Sequence, residues 1–251
     1  MDDTNLITWG ASAEQNCRTL TATYAQCEAW AREHGAKFAP DKYQLIHFTR
    51  SRRHAREDLA STVQVGNHRV EVQDKAIRVL GVWLDPGLTW KEHITQATRK
   101  GLAASEALAR IATSTWGPSA RNFRLLYTAV VRPTLLYGSQ EWSIRTNGEP
   151  LATTTAKPLH KVQNECLRKT TGAYKRTPRA VLEREAGVQP IDLYMEVNRY
   201  RRADDIAGHE VEKQIAQTAD IVWRRMRGAR GSHIRPRTSR EIVAGQAAER
   251  A

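Results

Sequence analysis

The sequence predicts an α+β chain in two unlike parts: a small antiparallel sheet with one covering helix over residues 1–87, then an all-α region from 88 onward. Three observations predict it. Short β-prone runs separated by turn residues occupy the stretch up to Asp85, whereas from Ile94 the apolar residues recur every three or four positions. Charge divides at the same place. Residues 1–87 hold 11 Lys+Arg and 11 Asp+Glu, so the 28 basic and 16 acidic residues beyond them supply the whole net charge of +12.

The first part opens on MDDTNLITWG, whose apolar residues Leu6, Ile7 and Trp9 predict a strand ending at Gly10. Ser12 and Gln15 then form a capping-box pattern. Cys17, Leu20, Tyr24, Cys27, Ala31 and His34 give one amphipathic helix, and Gly35 supplies its stop. Core packing accounts for the Cys and Tyr stripe. Pro40 precedes YQLIHFT (43–49), VQVGNHRVEV (63–72) and IRVLGVWLD (77–85), which read as strands, with Gly66 and Asn67 suited to a hairpin turn.

In the second part, Thr89 and Glu92 repeat the capping pattern. Ile94, Ala97, Gly101, Ala104, Leu108 and Ile111 hold the helical spacing over about five turns. The small residues in the middle of that stripe call for a closely packed neighbour. Pro118 opens a further helix that Pro133 should break, and residues 143–158 read as a linker. Helices are predicted for Leu159 to Thr171, Pro178 to Ala186 and Ile191 to Asp205. The resulting segments are 1–87, a helical connection over 88–142, the linker, a basic helical region over 159–222, and an Arg/Gly-rich tail, 223–251, expected to be disordered in isolation.

At 251 residues with 40% hydrophobic and 26% charged content, the chain is long enough to bury one large core or two modest ones. The longest apolar runs are cut by Arg132 and Pro133, well short of the roughly 18 residues of a membrane span. With Asp2 and Asp3 at its start there is no secretory pattern, so the expected location is intracellular, nuclear or cytoplasmic. Cys17, Cys27 and Cys166 are odd in number and far apart, which fits reduced thiols. His160 with Cys166 lacks the partners a zinc site needs. The basic second part suits a polyanion, whose counterions are released when phosphates are neutralised; solubility alone is the competing account.

Asp2 and Asp3 pose the sharpest question. Neighbouring carboxylates can reach the same cations only at a tight turn, and an Asp-Asp pair near a terminus is ordinarily a solvated end. Six segments of the chain change that weighting. MDDTNL, FAPDKYQLIHF from Phe38, RVLGVWLD from Arg78, WKEHI, RPTLLYGSQEW and LRKTTGAYKRTPRAVLEREAG occur in order over residues 1 to about 205. Together they resemble the reverse transcriptases of non-LTR (LINE-like) retrotransposons, especially those of fungi.

The resemblance implies a partial polymerase palm followed by a thumb-like helical region. Asp2 and Asp3 would be catalytic and would hold Mg²⁺ for a two-metal displacement. Lys42 would protonate or neutralise the leaving pyrophosphate; a surface lysine after a Pro-Asp turn is the alternative. Leu80, Gly81 and Val82 would grip the primer strand, glycine permitting the close approach. Partners implied are an RNA template with a DNA primer, or an RNA–DNA hybrid, and dNTP in the complete enzyme; no membrane is implied.

The departures are equally specific. The aromatic expected before the metal hairpin, the family's other metal aspartate and its fingers are not among these residues. Asp41, Asp74, Asp85, Asp204 and Asp205 offer no evident substitute. The expectation is therefore a C-terminal fragment of an RNA-directed DNA polymerase that binds metal weakly and does not polymerise alone. A non-enzymatic nucleic-acid-binding module using Lys161, Arg168, Lys169, Lys175, Arg176 and Arg179 against phosphates is the alternative, and a relic without a role is the third.

Overall fold

The computed structural model describes residues 4–10, 12–49, 61–111, 118–144 and 150–230. The chain is α+β, and its described residues form two compact units. The first runs to Glu92 and includes residues from Thr218 onward; the second spans His93–Gln217.

In the first unit, helix α1 covers Ala13–Glu33. The Ser12 side chain accepts from the Gln15 N–H at 3.2 Å, satisfying one of the free amides of the first turn. Gly35, left-handed at φ +68°, ends the helix as expected. Two hairpins come next: β1 (Thr62–Val65) with β2 (His68–Glu71), and β3 (Ile77–Val79) with β4 (Val82–Leu84). Val65 faces His68, so Gly66 and Asn67 form a two-residue turn with Gly66 alone at positive φ, the II′ pattern. Helix α1 packs on β1. Cys17, Leu45, Val63 and Val65 form the buried centre, flanked by Leu20, Tyr24, Tyr43, Val70 and Val72. The Tyr24 and Tyr43 hydroxyls meet at 2.8 Å above it.

Three expectations about the sheet need correction. The two hairpins are separate two-stranded sheets rather than one. The run 43–49 makes a single parallel bridge, Leu45 to Val72, reinforced by the Gln73 N–H donating to the Leu45 carbonyl at 2.8 Å. The bend at Asp74–Lys75 turns the chain away before a ladder can extend. Residues 4–10 form no strand: a strand exists by pairing, and no described segment pairs with them, leaving Ile7 79% exposed.

The second unit is helical. Helix α2 (Lys91–Arg110) buries His93, Ile94, Ala97, Gly101, Ser105 and Leu108, while Ile111 lies exposed beyond its end. A Cβ at Gly101 would sit 2.9 Å from Leu135 Cδ1 and 3.4 Å from Val162 Cγ1, so the small-residue stripe does meet a close neighbour.

Helix α3 (Ala120–Leu126) is capped by Ser119, whose side chain accepts from the Asn122 N–H at 3.3 Å. It runs into a π-helical turn, Tyr127–Val131, and then α4, Arg132–Leu135. Pro133 therefore does not break the chain's course. Its missing N–H and its ring's conflict with the carbonyl four residues back are absorbed by widening the preceding turn. The short α5, Ser139–Trp142, starts after left-handed Gly138.

Helix α6 (Thr153–Thr171) is the most enclosed, burying Leu159, Val162, Gln163, Cys166 and Leu167 along one face. It starts six residues before the expected Leu159, so the C-terminal part of the supposed linker is helix. The rest of that linker begins with a bridge between Ile144 and Pro150. Helix α7 (Arg179–Ala186) packs on α6, and α8 (Ile191–Ile206) packs on α5 and α6. Helix α9, Glu210–Arg230, carries the chain eight residues into the tail expected to be disordered. The remainder of that tail lies outside the described residues.

A buried polar chain fixes the centre. Tyr127 Oη donates to Gln163 Oε1 at 2.6 Å, and Gln163 Nε2 donates to Glu183 Oε1 at 3.0 Å. Burial pushes the Tyr127 phenol above its ordinary range, so it stays a donor. Cys166 Sγ donates to Ser105 Oγ at 2.9 Å, and burial raises its thiol too, more than that hydrogen bond lowers it.

Candidate nucleic-acid interface

Two surfaces carry the sequence-predicted site residues, one in each unit. The hairpin tip is built by backbone geometry. Val79 faces Val82 across a two-residue turn in which Leu80 and Gly81 are both left-handed, at φ +47° and +89°. That is the I′ pattern, whose twist matches the strands it joins. Glycine takes this conformation freely, but leucine there costs on the order of 1 kcal/mol or more. Leu80 nonetheless projects, 67% exposed, while Val82 is half-buried. An apolar side chain held at a strained tip is a feature to be explained.

The loop behind the hairpin is held by one carboxylate. Asp85 Oδ2 accepts from the Thr89 N–H and Oδ1 from the Trp90 N–H, both at 2.9 Å, and its carbonyl accepts from the Leu88 N–H at 2.8 Å. Leu88 and Trp90 are also left-handed, at φ +48° and +64°. Asp85 thus keeps a strained path between β4 and α2. Nothing in the sequence announced this clamp. Asp85→Ala removes two charge-assisted bonds from a strained loop and should cost about 1.5–3 kcal/mol. Asp85→Asn, which keeps one acceptor, should cost less. Urea midpoints of the two variants check this.

Lys42 ends the single turn Pro40–Lys42, exposed, while the next residue, Tyr43, turns inward to Tyr24. Asp2 and Asp3 lie outside the described residues. Among the described residues, no group of three or more His, Cys, Asp or Glu is arranged to hold a metal. Two adjacent carboxylates are hard oxygen donors of the kind Mg²⁺ takes, but they are too few to bridge two ions.

The second surface is the connection from α6 to α7. Gly172, at φ +65°, ends α6 with its N–H on the Arg168 carbonyl, and the Ala173 N–H reaches the same oxygen at 3.2 Å. The Thr177 N–H donates to the Tyr174 carbonyl at 3.0 Å, and Pro178 leads into α7. Tyr174 stands at the top of this turn, 88% exposed.

The six predicted cations divide into three groups. Lys161 approaches Glu165 at 4.0 Å and Arg179 approaches Glu183 at 3.8 Å, so both are partly answered within their helices. Arg168 is turned inward: its Nη2 donates to the Thr177 carbonyl at 3.4 Å and its Nε is buried. It braces the turn rather than offering its charge outward. Lys169, Lys175 and Arg176 are exposed and have no ion-pair partner among the described residues. From Leu167 to Leu182 the sequence contains no acidic residue.

No family model, curated protein or solved structure matches the chain. No helix among the described residues is long and apolar enough to cross a membrane.

Proposed function

We propose that the chain is part of an RNA-directed DNA polymerase of the non-LTR retrotransposon type, carrying the end of the palm and a thumb-like helical region. One observation supports this above the others. The residues that resemble the primer-gripping hairpin, 78–85, fold as a two-stranded hairpin whose tip places Leu80 at positive φ and leaves it 67% exposed. A core strand would bury that leucine; a tip that meets a partner would display it.

In this reading the hairpin aligns the primer, Asp2 and Asp3 contribute carboxylates to the Mg²⁺ centre of the whole polymerase, and Lys42 faces the leaving pyrophosphate. The carboxylates needed to complete that centre come from elsewhere in the polymerase, so these 251 residues do not polymerise by themselves. The test is which strand of a primer–template hybrid a crosslinker at position 80 captures.

A second reading, a non-enzymatic nucleic-acid-binding module, is favoured by the three unanswered cations of the α6–α7 turn. Binding to a hybrid duplex should be indifferent to sequence and fall with salt by about 0.9 log units per log unit for each phosphate met. Replacing Lys169, Lys175 and Arg176 together by alanine should lower that slope by roughly 2.7. Arg168→Ala should act instead by loosening the turn. An unchanged slope in the triple variant would remove this reading.

A further inference from the structure

We infer that the α6–α7 turn is a stacking site for an unpaired base, with Tyr174 as the platform and Lys175, Arg176 and Lys169 holding the flanking phosphates of single-stranded RNA or DNA. This deepens the nucleic-acid-binding reading of the same turn and rests on it. Phosphate contact alone requires no aromatic residue; the tyrosine is what adds information.

The physical case begins with exposure. A tyrosine that served the fold would bury its ring, as Tyr127 does; Tyr174 leaves 88% of its surface in water. Nor is it on a slack segment. Left-handed Gly172, the two bonds to the Arg168 carbonyl, the Thr177 N–H on the Tyr174 carbonyl and the Arg168 guanidinium on Thr177 all fix the backbone on either side. A ring presented by a fixed backbone loses little conformational entropy when a flat partner stacks on it, since only two torsions need settling.

The neighbours then select the partner. Lys175 and Arg176 come directly after the ring, and Lys169 lies in the last turn of α6. Exposed cations beside an exposed aromatic match a chain that alternates flat bases with phosphates. In a duplex the base faces are covered by their neighbours, so the ring has nothing to stack on except at a frayed end or overhang. A lipid surface fits less well: Tyr174 is the only large apolar side chain between Gly172 and Pro178, too little area for interfacial insertion.

Fluorescence anisotropy of the full chain with three probes tests this: a single-stranded oligonucleotide, in RNA and DNA versions; a blunt duplex of the same length; and an abasic strand with the same phosphates. Tyr174→Ala should weaken single-strand binding about tenfold, the value of one base–aromatic stack. Binding to the duplex and to the abasic strand should change less than about twofold. Tyr174→Phe, which keeps the π-face, should bind as the parent does, and Tyr174→Leu, which keeps apolar bulk without it, should lose as much as alanine.

Equal losses on all three probes, or no loss on the single strand, would overturn the stacking site while leaving the salt slope to judge the phosphate reading independently. The RNA and DNA versions are expected to behave alike, because a ring reads the base face and not the sugar; a Tyr174-dependent preference above about tenfold for either would contradict a plain stack. Anionic vesicles supply the last arm. Vesicle binding lost in Tyr174→Ala, with oligonucleotide binding intact, would make the turn a membrane contact and sink the proposal.

Discussion

Given a primed RNA template, dNTPs and Mg²⁺, the purified chain will extend nothing above background. The reason is geometric. Two-metal transfer needs ions roughly 4 Å apart, bridged by carboxylates from more than one segment, to stabilise both the attacking and the leaving oxygen. The pair that resembles the metal hairpin is Asp2 and Asp3, and among the described residues no group of three or more His, Cys, Asp or Glu is arranged to supply the rest. Extension that disappears in Asp2→Ala would overturn this, because it would mean a working centre assembled from this chain alone. In a polymerase joining this segment to an upstream palm aspartate, the same substitution should remove activity by several orders of magnitude. Circular dichroism of the variant would show that the loss is not one of folding.

The largest effect on stability is expected from Trp142→Ala. Trp142 is wholly buried, its indole N–H donates to the Tyr137 carbonyl at 2.9 Å, and its ring meets His93 edge-on at 5.2 Å. Truncation empties the largest fully buried side chain among the described residues and removes one of the donors to the Tyr137 carbonyl, at a cost of about 3–5 kcal/mol. Against the roughly 5–15 kcal/mol typical of a domain, that leaves the unit near its unfolding threshold. Trp142→Phe fills most of the space and should cost clearly less. Urea titration followed by circular dichroism separates the two. Equal midpoints for wild type and alanine would mean that the second unit is not organised around this side chain. The same packing draws His93 below the usual imidazole range, chiefly by burial, with Lys100 pulling the same way and a hydrogen bond to the Tyr137 backbone opposing.

The range of the forces involved separates the legible elements from the hidden ones. Helices were legible because their determinants are local. The Ser12 cap, the Gly35 and Gly172 stops and the spacing through Gly101 each act within one or two turns. The Gly66–Asn67 hairpin was legible for the same reason. The run 43–49 was not, because a strand depends on a partner distant in sequence, and here the partner leaves after one bridge.

Arg168 shows a different limit. Charge counting assigns every arginine to solvent or to an anion, yet this guanidinium is spent on the Thr177 carbonyl, which only the folded turn reveals. The helix through 223–230 was missed because composition suggested disorder, whereas extending a helix already nucleated upstream costs little per residue and arginine favours it. For the candidate site, the hairpin at 78–85 and the basic turn were both visible as sequence. The strain at Leu80 and the full display of Tyr174 were not, since each is a property of backbone path rather than of residue type.

The claim that residues 78–85 hold a primer is tested most directly by strand-selective photocrosslinking. A photoreactive group installed in place of Leu80, on the full chain bound to an RNA–DNA hybrid labelled separately on each strand, should capture the DNA primer strand within a few nucleotides of its 3′ end. The same group in place of Arg69, exposed on the other hairpin, should capture little of either strand. Capture of the template strand alone, uniform capture along the duplex, or equal yields from positions 80 and 69 would contradict the polymerase reading.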